Sequence, residues 1–191
     1  MGLSIKTCYT VKIQKQLDAT QDKTTEKLNI VRERAVDSRL IRQTSLICLE
    51  ALKFCVSVIS KEWDTIMSVE SKLRKRLIDT LVHRTKTAAP KYPEFDLRFP
   101  KMPGYTRRAI IADAFGMVKS YRSNHKNWEE TPPMERGAEP KFGLPSRYEL
   151  TFYDQERKMS CLADGQIGLK LYNGQTWNWY YFQISPSDAK Q

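Results

Sequence analysis

The chain has 191 residues, 40% hydrophobic and 10% aromatic, enough apolar material for one ordinary domain or two small ones. That content excludes disorder over the whole length. Of the formal charge of +10, all resides in residues 72–126, where 14 basic side chains face 4 acidic ones; the remaining segments cancel. A field concentrated in this way attracts polyanions far better than the same charge scattered; the alternative is a solvated, merely soluble face.

Met1-Gly2-Leu3-Ser4-Ile5-Lys6 lacks the apolar core of a secretory signal, and Lys6 stands where a myristoylation signal needs Ser or Thr. Ile5 to Ile13 alternates in polarity and predicts an opening β-strand. Asp18 to about Arg42 is polar and helix-compatible. Leu46 to Ile59 is the most apolar stretch, but Glu50 and Lys53 interrupt it and it is too short to span a bilayer. It reads as a buried helix, and the expected location is the cytoplasm with no membrane partner. Ile66, Val69, Leu73, Leu77 and Leu81 then mark an apolar helical stripe, with Lys72, Lys75, Arg76, Asp79 and His83 on another face.

Prolines at 90, 93, 100 and 103 make residues 88–104 an irregular connection. A second amphipathic helix is predicted from about Tyr105 to Ser123, burying Ile110, Ile111, Ala114, Phe115 and Val118. Arg108, Ala112, Gly116 and Lys119 share a different face, whose small residues suit either a phosphate backbone or a packed helix. Residues 124–146 are polar and proline-rich, a further connector.

The period then changes to two. Tyr148–Tyr153, Lys158–Leu162, Gln166–Tyr172 and Thr176–Ile184 read as strands, with turns at Asp164-Gly165 and Asn173-Gly174. A two-residue turn at Asn173-Gly174 pairs Leu171 with Thr176, Leu169 with Asn178 and Lys170 with Trp177. One face of this ribbon is aliphatic. The other presents Trp177, Trp179 and Tyr181 beside Lys170, either a platform for stacking bases or filling for a barrel or a joint with the helices.

Chemistry-bearing patterns are missing. No phosphate-binding glycine loop, nucleophile elbow or His-Glu-x-x-His helix occurs, and His83 and His125 are far apart in sequence. Asp154, Glu156 and Asp164 fall in turns. Cys8, Cys48, Cys55 and Cys161 lack metal or redox spacing and read as reduced, structural thiols. The expectation is no catalytic residue, no metal, no cofactor and no small-molecule substrate.

Two runs carry a resemblance. Phe99-Pro100-Lys101-Met102-Pro103, Arg107 to Asn124 (RRAIIADAFGMVKSYRSN) and Trp128 form the first. The second spans Ile167, Leu169-Lys170-Leu171-Tyr172-Asn173-Gly174, Trp177 and Trp179. In order and spacing they resemble the N-terminal half of the TnpB (OrfB-type) proteins of bacterial insertion sequences, relatives of type V CRISPR effector nucleases. The resemblance implies an α+β architecture: an antiparallel, barrel-like wedge domain, here incomplete, interrupted by a helical recognition domain. Residues 1–17 would give the first wedge strand, 18–146 the recognition domain and 147–191 the remaining wedge strands.

It also implies transposition-associated, RNA-guided DNA cleavage, with guide RNA and target DNA as partners. The family's RuvC-like nuclease acids follow the wedge and have no counterpart here, so the expected role is binding without cutting. The expectation is a truncated gene product, a split one whose nuclease domain is a separate polypeptide, or an expressed fragment. Residues expected to meet phosphates are Lys72, Lys75, Arg76, Arg107, Arg108, Lys119 and Arg122, and those expected to stack are Tyr172, Trp177 and Trp179. The alternatives are a stand-alone DNA-binding regulator and an inactive gene remnant.

Overall fold

The computed structural model describes residues 13–21, 28–86, 88–152, 157–158 and 165–185. The opening strand expected at Ile5–Ile13 lies almost wholly outside them, as does most of Lys158–Leu162.

Helix α1, Ser38–Lys61, contains no Gly or Pro and buries Cys48, Leu49, Leu52, Cys55, Val58 and Ile59 at helical spacing. Its start is capped by Asp37, whose carboxylate accepts the Arg39 N–H at 3.0 Å. The Asp37 N–H in turn donates to the side-chain oxygen of Gln16, which is 1% exposed, and this ties the helix to the first strand. By length and composition alone α1 is long and apolar enough to cross a membrane, and half of its most apolar window is buried in this fold.

The expected stripe from Ile66 to Leu81 is broken. Val69 and Glu70 are extended, separating α2 (Trp63–Ser68) from α3 (Ser71–Val82) and resetting the helical phase. Ile66, Ile78 and Val82 are buried while Leu73 is exposed. The proline-rich connection contains a short α4 (Glu94–Arg98), anchored because Phe95 and Phe99 pack edge-on against Phe54 of α1 at 5.6 and 6.2 Å.

Helix α5, Gly104–Glu130, buries Ala109, Ile110, Ile111, Ala114 and Val118 and packs against α1 and α3. It continues a turn and more past the expected end at Ser123. The polar extension is held by His125–Glu129 and Lys126–Glu130 pairs one turn apart and by Trp128, whose indole donates to the Gly137 carbonyl at 2.7 Å. Pro132 and Pro133 follow its end at Glu130.

Strands β1 (Ile13–Gln21), β2 (Leu28–Arg34), β3 (Arg157–Lys158), β4 (Gln166–Tyr172) and β5 (Trp177–Ile184) form one antiparallel sheet in the order β2-β1-β5-β4-β3. The first strand thus pairs with the last, and all five helices lie between them in sequence. Among the described residues the sheet is open, so its fold class is α+β.

The helix-compatible reading of 18–42 gives way to a β1–β2 hairpin. Its charges are cross-strand partners, Lys15 with Glu33 at 2.6 Å and Arg34 with Asp18 at 2.9 Å. Because Ile30 and Val31 on β2 are exposed, no buried face imprints a two-residue period on that strand.

The β4–β5 register is also displaced. Tyr172 pairs with Trp177, Leu171 with Asn178 and Lys170 with Trp179, two residues from the two-residue-turn register. Asn173 causes this: its side-chain oxygen accepts from Gln175 N and Thr176 N, and its own N–H donates to the Thr176 carbonyl, closing a four-residue loop. A shift of two keeps every side chain on its expected face. Tyr148–Phe152 is irregular rather than a strand.

Two cores result. One joins α1, α2, α3, α4 and α5 and takes in Tyr148 and Trp177. The other lies on the aliphatic face of the sheet, with Leu40 of α1 against Ile167, Leu169, Leu171, Phe182 and Ile184. Thr44 locks α1 to the sheet, its buried hydroxyl accepting the Tyr172 N–H at 2.9 Å while donating to the Leu40 carbonyl at 2.7 Å.

Candidate nucleic-acid interface

Three of the four acids in the basic stretch are engaged within the fold. Asp79 accepts from Arg107 Nε at 2.7 Å, Asp96 from the Arg84 N–H while facing His83 Nδ1 at 2.7 Å, and Asp113 from the Tyr148 hydroxyl at 2.7 Å. The cations around them are only partly matched.

On α3, Lys75 and Arg76 are exposed and neither side chain has a hydrogen-bond or ion-pair partner among the described residues. Lys72 is exposed too, loosely tied to Glu70 at 2.9 Å. On α5, Lys119 is exposed and unpartnered. Arg108 is exposed, its guanidinium lying 4.2 Å from the Tyr105 ring centre and its Nε donating to the Gly104 carbonyl. Arg122 lies 4.9 Å over the Trp63 ring, which itself stacks on Phe115, so it is exposed yet oriented.

Arg107 is different. It is 9% exposed and spends its charge on Asp79, holding α5 to α3. A phosphate would reach it only by breaking that pair.

The aromatic candidates separate in the same way. Trp177 is 7% exposed and sits in the helical core, 5.4 Å from Tyr172, and its indole N–H meets no acceptor among the described residues. Tyr172 is half-buried and its hydroxyl donates to the Gly174 carbonyl at 2.9 Å. These two fill the joint between sheet and helices. Trp179 is half-buried with the Lys170 ammonium 5.9 Å from its ring centre. It lies on the sheet, in a setting distinct from the cations of α3 and α5.

Lys86 and Lys101 are further exposed cations of the basic stretch. Helix-face reasoning passed over them because both lie outside regular structure. Among the described residues no cluster of three or more His, Cys, Asp or Glu could hold a metal ion. Cys48 and Cys55 are buried and form no disulfide, and burial pushes the Cys55 thiol up to about 12.

No curated protein and no solved structure matches the chain. The model of the Aq_aa04 family does match, over residues 24–173, from the β1–β2 hairpin through all five helices to the end of β4. On that coverage the chain belongs to the Aq_aa04 family.

Proposed function

We propose that this chain binds nucleic acid through phosphate contacts from exposed cations of α3 and α5, as the recognition and wedge portion of a TnpB-like RNA-guided nuclease. One observation carries the binding half of this reading. Within residues 72–126 three of the four carboxylates are engaged in the fold, while Lys75, Arg76 and Lys119 stand exposed without partners. An unmatched field on two packed helices is what a phosphate backbone neutralises when it releases its counterions.

The narrower half rests on the resemblance over residues 99–128 and 167–179. A sheet assembled from both ends of the chain, with the helices between them in sequence, is in keeping with a wedge interrupted by a recognition insert. On this reading the residues described here bind guide RNA and target DNA, and cleavage belongs to a RuvC-like domain.

The test compares a structured RNA with duplex DNA by fluorescence anisotropy, each alone and then together. The proposal expects RNA to bind more tightly and to compete with random duplex. Sequence-specific duplex binding in the absence of RNA would replace it with a stand-alone DNA-binding regulator.

A further inference from the structure

Beside the cations of α5 runs a groove of about 440 Å³. One wall is α5 itself, through Gly116, Ser120, Tyr121 and Asn124; the other is the segment carrying Lys141 and Phe142. We infer that this groove seats one unpaired nucleobase of a single strand whose phosphates lie along α5. The inference rests on the nucleic-acid reading and names where a base, as distinct from the backbone, would be held.

The groove is preformed. The segment opposite α5 is fixed by Trp128 Nε1 on the Gly137 carbonyl, by Arg136 donating to the Glu129 and Thr131 carbonyls, and by Phe142 meeting Tyr121 edge-on at 5.3 Å. The Arg136 guanidinium also lies 4.7 Å from the Trp128 ring centre. Little ordering is left to be done on binding, which favours affinity.

Its chemistry suits a base. Tyr121 on one wall and Phe142 on the other each bring a ring, and every base offers a flat π-face to a ring. Ser120 and Asn124 have no hydrogen-bond partner for their side chains among the described residues, and an amide can both donate to and accept from a base edge. Lys141 is exposed at the groove and Lys119 adjoins Ser120, so cations flank both walls while no carboxylate lines either. At Gly116 no heavy atom lies within 4 Å of where a Cβ would stand, so the entrance is open. A duplex keeps its bases stacked inside and would leave the groove empty.

Gly116→Leu fills that entrance without meeting the core, and Asn124→Ala removes the amide from an exposed position. Binding of labelled single-stranded and duplex oligonucleotides is measured for both variants, for a Lys119→Ala/Arg108→Ala double variant and for the parent, with thermal unfolding recorded for each. The inference expects each groove variant to weaken single-strand binding about tenfold and to leave duplex binding and the salt slope unchanged. The double variant should weaken both ligands and flatten the slope. Parent-like single-strand affinity in Asn124→Ala overturns the groove, and if the double variant is weakened in the same experiment the phosphate reading stands. Equal losses on both ligands in the groove variants also overturn it. If the parent binds neither oligonucleotide, both readings fall.

Discussion

Arg107 and Arg108 are consecutive, equally charged and turned to opposite uses. Arg107 Nε reaches Asp79 at 2.7 Å in a setting where its side chain is 10% exposed, so the pair holds α3 to α5. Arg108 is in solvent above Tyr105. Arg107→Ala strands the Asp79 carboxylate and should cost about 3 kcal/mol in chemical denaturation, with the salt slope of binding unchanged. Arg108→Ala should leave stability as it is and flatten that slope. The sequence alone placed both among phosphate contacts, because helical periodicity reports which face a residue lies on and not which neighbour claims its charge. Asp79 was visible on the basic face of α3, but its pairing with a residue 28 positions away was not.

Thr44 makes a similar point for stability. Thr44→Val keeps the shape but leaves the half-buried Tyr172 N–H without its acceptor, and a loss of about 1 kcal/mol in denaturant unfolding is expected. Glu62 contributes to the pH dependence. Lys91, donating at 2.6 Å, and the Tyr92 hydroxyl hold its carboxyl below the ordinary value of 4.5, and the same contacts raise Lys91 and Tyr92. The carboxylate's contribution is therefore complete above pH 4.5 and fades as pH falls through its lowered value. Those of Tyr92 and Lys91 are complete below their ordinary values of 10.0 and 10.5 and fade as pH rises beyond them. Glu62→Gln should lower the melting temperature at neutral pH and leave a flatter profile at both ends.

At the scale of elements, legibility followed burial. The buried stripe of α5 and the extents of β4 and β5 were readable because each puts apolar residues on one side at a fixed period. Edge strand β2 was not, since both of its faces meet solvent or charge. The four-residue loop was misread because Asn173-Gly174 suits a two-residue turn as well, and only the Asn173 side chain's bonds to Gln175 and Thr176 select the longer one. Gly174 has φ +96, so Gly174→Ala should cost about 1 kcal/mol and shift the unfolding midpoint without changing the denaturant slope. The groove beside α5 had no sequence signal, because its second wall is an irregular segment, residues 140–143, that folds back on the helix.

For the whole molecule, the central claim is that a net charge of +10 acts as a directed field, since carboxylates that could cancel it are engaged within the fold. Two of the three aromatic candidates are placed elsewhere. Trp177 and Tyr172 serve the joint between the two cores, and large apolar rings are more often spent there than displayed. The most direct measurement is the affinity of the intact chain for a structured RNA between low and physiological salt. With Lys75, Arg76, Arg108 and Lys119 each neutralising a phosphate, the logarithm of affinity should fall against the logarithm of salt with a slope of about −3 to −4. Replacing all four by Ala should bring that slope towards zero while the melting temperature stays unchanged. A salt-independent affinity, or a slope that survives the fourfold replacement, would contradict the account.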